Sequence, residues 1–240
     1  MQSKGPTMKI KILLSATVLL TGSLLAAQAS PADDITSAAQ KLGGEPGYSW
    51  HVTVFVPEGS RFRPGPQDGK TAGGVTYIKM SFRNDETQVY MKGTNVVVTD
   101  PDGGWETLAD MASDDQGPGR FIVGMIRNFK TPAAQAADLV AGAKELQQTN
   151  GAYAGDLTAD AAKKLLSFRG RGGNANISNP SGTVQFWAAN GELAKYEFHV
   201  KGTVTFNGND VDVDRDTTVE IKDAGATTVD VPGAVKKLMP

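Results

Sequence analysis

Residues 193–206 read Leu-Ala-Lys-Tyr-Glu-Phe-His-Val-Lys-Gly-Thr-Val-Thr-Phe; Asn207-Gly208 follows, and then a second alternating run from Val211 to Ile221. In the first run Tyr196, Phe198, Val200, Val204 and Phe206 share one face, while Lys195, Glu197, His199 and Lys201 share the other. In the second run Val211, Val213, Val219 and Ile221 oppose Asp212, Asp214, Glu220 and Lys222. A period of two with one oily and one wet side marks antiparallel strands packed on a single face. Asn-Gly between two such runs is the strongest short hairpin signal. Gly202 falls in register on the apolar face, where a bend or bulge is expected. Upstream, Thr183 to Ala189 ends at Asn190-Gly191 and adds a third strand to the series.

The early part of the chain has the same grammar. Tyr48, Trp50, Val52, Val54 and Val56 alternate with Ser49, His51 and Thr53, and only Phe55 breaks the pattern. Pro57 to Gly74, rich in Pro and Gly, reads as a long loop. Val75 to Arg83 is a strand with Ile78, Met80 and Phe82 on one face. Turns at Asn84-Asp85 and Gly93-Thr94 lead into Thr87–Lys92 and Asn95–Thr99. These make a meander of four strands.

Between the two sets the period changes. Trp105, Leu108, Ala109 and Ala112 recur at helical spacing, and Phe121, Ile122, Met125, Ile126 and Phe129 form one helical stripe. Thr131-Pro132 has N-cap and first-turn chemistry for a helix running to about Gln148, closed by Asn150-Gly151. Thr158 caps a further helix, Ala159–Leu166. Asp34 to Leu42 forms a helix ahead of the first strand, Thr227 to Val231 a last strand, and Pro232 to Leu238 a terminal helical turn. The expected fold class is α+β: a curved antiparallel sheet, an unclosed β-barrel, with helices inserted mid-chain as lid and plug. No linker or repeat divides residues 30–240, so one domain is expected.

The first 29 residues carry an address. Lys9-Ile10-Lys11, an apolar run from Ile12 to Ala27, and Ala27-Gln28-Ala29 have the layout of a cleavable secretory signal. The apolar run is short for a membrane span. Cleavage after Ala29 leaves a soluble chain beginning at Ser30, expected in a bacterial periplasm or outside the cell. The 240 residues contain no cysteine, which fits that setting better than a disulfide-rich eukaryotic route. The whole chain carries a formal charge of −2; without Lys4, Lys9 and Lys11 it falls to about −5. A mildly acidic chain with no basic tract does not suit nucleic acid or anionic headgroup surfaces.

Several constellations invite a chemical reading. Gly65-Pro66-Gln67-Asp68-Gly69-Lys70-Thr71 approaches a phosphate loop, but it is one residue short and Pro66 lacks an amide hydrogen. Asp210, Asp212, Asp214 and Asp216 alternate, without the Gly and Glu that a calcium loop needs at its sixth and twelfth positions. They fit a solvated sheet face better. His51 and His199, the two histidines, lie on polar strand faces, a thin basis for zinc. No nucleophile elbow, zinc helix or thiol is present, and nothing selects a carboxylate pair for hydrolysis. No cofactor is implied. The apolar stripe and strand faces make either plain core or the wall of a cavity with Met80 and Met125 as adaptable lining. Gly117-Pro118-Gly119 and Gly124 would let the stripe helix move.

Tyr153-Ala-Gly-Asp-Leu-Thr158, Gly182-Thr-Val-Gln-Phe-Trp187 and Gly191-Glu-Leu-Ala-Lys-Tyr196, set in this layout, are similar to segments of uncharacterised exported bacterial proteins. The whole resembles the LolA-like superfamily of periplasmic lipoprotein carriers and the related mycobacterial lipid-binding lipoproteins. That resemblance implies an apolar cavity accepting acyl chains beneath a helical lid, and no catalysis. It departs from the mycobacterial members in lacking an anchoring cysteine. The expected site is Trp50, Val52, Val54, Ile78, Met80, Phe82, Phe121, Ile122, Met125, Ile126, Phe129, Tyr196 and Phe198. The expected partner is a lipid, an acyl chain or an acylated lipoprotein, with an envelope protein as a second partner. The rival readings are an envelope interaction module with a filled core, and a carboxylate-dependent hydrolase.

Overall fold

The computed structural model describes residues 30–60, 63–82, 85–100, 103–113, 119–167, 176–206 and 208–239. The signal segment, most of a Gly/Asn-rich loop expected over Gly170 to Pro180, and the proposed hinge at Gly117-Pro118 lie outside the described residues. In chain order the elements are α1 (Pro31–Gly44), β1 (Gly47–Phe55), β2 (Gln67–Ala72), β3 (Val75–Phe82), β4 (Asp85–Lys92), β5 (Asn95–Thr99) and β6 (Trp105–Thr107). Then come α2 (Leu108–Ser113), α3 (Gly119–Arg127), α4 (Pro132–Gly142), β7 (Gln147–Thr149), β8 (Ala152–Asp156) and α5 (Ala159–Leu166). The chain ends with β9 (Asn176–Ala189), β10 (Glu192–Phe206), β11 (Asn209–Lys222) and α6 (Gly233–Leu238).

All eleven strands join one antiparallel sheet in the order β6-β5-β4-β3-β2-β1-β11-β10-β9-β8-β7. The edge strands β6 and β7 are not paired with each other, so the curved sheet is unclosed and, with its helices, the fold is α+β. β1 closes onto β11, with Trp50 opposite Ile221 and Val52 opposite Val219. This pairing puts the oily faces of both strand sets on one side, where the mid-chain helices sit.

The helical cover is uneven. α1 lies on β10 and β9, α4 packs on α1, and α5 lies across β9 and β10. Ile35, Ala38, Ala136, Ala162, Phe186, Tyr196 and Val200 are fully buried there. Three inward tyrosines tie sheet to helices. The Tyr196 hydroxyl donates to Gln135 Oε1 at 2.7 Å, the Tyr153 hydroxyl donates to Asp34 Oδ2 at 3.2 Å, and the Ala133 amide donates to the Tyr48 hydroxyl at 3.5 Å. Side-chain caps set the helix starts: Ser30 and Asp33 form a capping box on α1, and Thr131 and Thr158 cap α4 and α5.

The sheet's other side has a smaller core of its own. Tyr90 and Val97 pack with Val235 and Met239, flanked by Tyr77, Trp105, Val229 and Val231. The C-terminal segment therefore crosses to the outer face of the meander. Thr227 to Val231, expected as a strand, runs there without ladder pairing; its apolar residues are satisfied by packing.

Other expectations shift for local reasons. Gln67–Ala72 is a strand inside the expected loop, and Gly69 within it leaves the space that the Trp50 indole fills. Trp105 belongs to a short strand, and the helix begins at Leu108. α4 ends at Gly142, since Ala143 bridges Leu157 and the Lys144 amide donates to Asp156 O at 2.8 Å. Asn150-Gly151, expected to close that helix, turns β7 into β8: both residues have positive φ, 52° and 78°, as a two-residue hairpin requires. Asn190-Gly191 makes the same turn between β9 and β10, as expected. β9 starts at Asn176, earlier than expected. Register shifts beside Gly202, between Lys201 and Thr203, supply the expected irregularity.

Candidate functional site

Most of the expected site residues gather on the apolar side of the sheet. Trp50, Ile78, Met80, Ile126, Tyr196 and Phe198 are buried in one continuous core, and Val52, Ile122, Met125 and Phe129 are half-buried against it. Val54 is half-buried on the same strand face. The side chains of Phe82 and Phe121 lie outside the described residues. Tyr196 and Phe198 sit beneath α1 and α5, in the sealed half, away from the stripe helix.

The stripe helix, α3, is the loosest part of the cover. It packs chiefly on α2, which itself leans on β5 and β6. Its inward residues Val123 and Ile126 are buried, while Ile122, Met125 and Phe129 keep partial exposure. Phe129 stacks on Trp50, ring centroids 6.2 Å apart and planes 21° from parallel. Trp50 in turn lies against the backbone of Gly69: a Cβ there would stand 2.0 Å from the indole ring. A salt bridge from Lys130 to Asp138 fastens the end of this segment to α4.

From Trp50 a largely apolar track runs along the seam of β1 and β11, buried at Trp50, Thr217 and Val219 and half-buried at Val52, Val54 and Ile221. Its cross-strand rows are Trp50 with Ile221, Val52 with Val219, and Val54 with Thr217. The next inward position on β11 is Arg215, Cα partner of Val200 on β10. Its Nη2 donates to Leu165 O at 3.1 Å, near the C-terminal end of α5, while its buried Nε has no hydrogen-bond partner. Burial pulls the Arg215 pKa below its ordinary value, with no charged neighbour contributing. The sequence carried this signal, for Arg215 has the same parity as Val213 and Val219. The acids at Asp212, Asp214 and Asp216 drew the reading of that stretch to its outer face instead.

An open hollow lies on the opposite side of the sheet. It is a polar trough of about 910 Å³, floored by Thr183, Gln185, Glu197, His199, Asp216 and Thr218 and walled by Lys144, Glu145 and Gln147. Lys195 pairs with Glu197 at 2.7 Å, and Lys144 with Asp156 at 3.9 Å. Exposed Phe55 is the Cα partner of Asp216 at one edge. A smaller hollow of about 210 Å³ lies between Tyr48, Thr131 and the β2–β3 turn. Neither hollow lies in the seam under α3.

The remaining constellations are held by partners. His51 Nδ1 meets Asp68 Oδ1, and His199 Nε2 meets Asp214 Oδ1, each at 2.7 Å. Their strands, β1 and β10, are separated by β11. Among the described residues no group of three metal-ligating side chains gathers. The alternating aspartates are not left to repel one another: Thr203 donates to Asp212 at 2.8 Å and Thr205 to Asp210 at 2.6 Å. The expected near-phosphate loop is largely β2. Among the described residues no helix is long and apolar enough to cross a membrane.

No family model matches this chain, and no curated protein matches its sequence. Among solved structures it is similar to the Mycobacterium tuberculosis lipoprotein LppX, at 11% identity over 83% of this chain and 97% of that one, with a TM-score of 0.43. It is also similar to LprF from Mycobacterium bovis, at 12% identity over 86% of this chain and 99% of that one, with a TM-score of 0.44.

Proposed function

We propose that this chain is an exported, non-catalytic carrier that takes a hydrophobic ligand, a lipid or acyl chain, onto the apolar face of its sheet. The observation that carries this reading is the uneven roof. α1, α4 and α5 seal one half of the sheet with near-zero exposure, while α3 leans on α2 and leaves Ile122, Met125 and Phe129 partly open, with Phe129 over Trp50. Lifting α3 would separate Phe129 from Trp50, and an acyl chain would take its place. About twelve buried methylenes contribute near 10 kcal/mol before ordering costs, ample for micromolar retention. In this reading residues 1–29 are removed on export, and residues 30–240 form the carrier.

The test is organic extraction of protein purified from its native envelope, followed by mass spectrometry. Acyl species near one per chain support the carrier. Clean protein that also fails to take up a fluorescent fatty acid overturns it.

One observation favours a second reading, an envelope interaction module with a filled core. An open trough lies on the far side of the sheet, and its floor offers hydroxyl, amide and carboxylate groups to a polar partner. In that case charge reversal at Asp216 and Glu145 would abolish partner capture and leave lipid uptake at zero in every variant.

A further inference from the structure

We infer that Arg215 is the receptor for the anionic head of an amphiphile whose chain lies along the β1–β11 seam. The inference deepens the carrier reading and rests on it. β11 is buried on this side by Val219 and Thr217, with Val213 half-buried beyond, and Arg215 is the cation set among them. Strand alternation turns Asp212, Asp214 and Asp216 to the outer face, where Asp212 meets Thr203 and Asp214 meets His199. No described acidic side chain forms an ion pair with the guanidinium. One of its five donors is used on Leu165 O, and its buried Nε is unmatched.

A guanidinium in this position stays charged, so leaving it without a counter-charge is costly. Its fork geometry suits a carboxylate or phosphate held by two hydrogen bonds. The placement also fits an amphiphile in length. Arg215 lies six residues along β11 from Ile221, whose cross-strand partner is Trp50. At about 3.3 Å per residue that is about 20 Å, the reach of a common long-chain fatty acid. The rows between them, Val52 with Val219 and Val54 with Thr217, are apolar apart from the Thr217 hydroxyl. A head at Arg215 therefore puts the tail end under Phe129.

The test uses two fluorescent probes with one chain, cis-parinaric acid and its methyl ester, titrated at a pH where the acid is ionised. The intact protein should bind the acid about tenfold more tightly than the ester. In Arg215→Met that preference should vanish with ester affinity unchanged, which also reports that the fold survives. Arg215→Lys should keep part of the preference, because charge remains and the fork is lost. Millimolar inorganic phosphate should leave acid binding in place; displacement would mean that a free anion, not a lipid head, is the site's ligand, and would overturn the inference. Equal binding of acid and ester by the intact protein, or a preference that persists in Arg215→Met, overturns the inference and leaves the carrier standing. Binding of neither probe overturns the carrier reading and this inference together.

Discussion

Phe129, just past the end of α3, stacks over Trp50 on the sheet's apolar face, with 6.2 Å between ring centroids. Trp50 also lies flat against the backbone of Gly69, where no Cβ intervenes. The indole is thus clamped between a fixed floor and a partly exposed ceiling.

The floor admits no enlargement. Gly69→Ala places a methyl group 2.0 Å from the indole Cε2 and Cζ2. The ring has to move, displacing Phe129 and straining the β1–β2 pairing. Overpacking of this kind costs about 1–3 kcal/mol, and thermal unfolding should show a midpoint lowered by several degrees.

The ceiling is less tightly bound to the fold. Phe129→Ala removes a half-buried ring and should cost less than full core truncation, about 1–3 kcal/mol against 3–5. Its distinctive effect is on Trp50, whose emission should shift to the red as water reaches the indole. An unchanged emission maximum would place the ceiling elsewhere.

Met125→Trp fills the seam from above. If a ligand occupies that space, uptake of a fluorescent fatty acid should fall severalfold while the unfolding midpoint moves little. Equal loss of uptake and stability would make the stripe ordinary core.

Burial raises the Tyr196 pKa well above its ordinary value, with the neighbouring Tyr48 adding to the shift. The unfolded chain releases this proton at about pH 10, before the folded one does. Tyr196 therefore contributes stability that is complete below pH 10 and declines as pH rises above it. Denaturant midpoints should fall steeply above that pH, and Tyr196→Phe should flatten the decline. At neutral pH the same variant loses the Gln135 hydrogen bond and costs about 0.5–1.5 kcal/mol.

Much of this was legible in residue order. The alternation of β10 and β11, the Asn190-Gly191 turn and the caps at Thr131 and Thr158 each follow from local chemistry, and the structure has them where expected. What escaped was decided at a distance. β2 carries Gly69 because its neighbour's indole needs an empty face there. α4 stops at Gly142 because β8 claims the backbone that follows. The Thr227–Val231 segment has strand-like composition, but it packs on Tyr90 and Val97 from the side of the sheet. Alternation turned Val52 and Met80 to the apolar face and the helical stripe carried Met125, yet only the packing of α3 on α2 shows which part of the roof is loose.

The most direct test watches Trp50 itself. Trp105 packs in the outer cluster and Trp187 beneath Lys195, 4.3 Å from the ammonium to the ring centroid, so both can be changed to Phe without touching the seam. In that variant, titration with a dibrominated stearic acid should quench Trp50 emission saturably, with a midpoint in the micromolar range. A folded protein whose Trp50 stays bright throughout the titration would contradict a ligand site beneath α3.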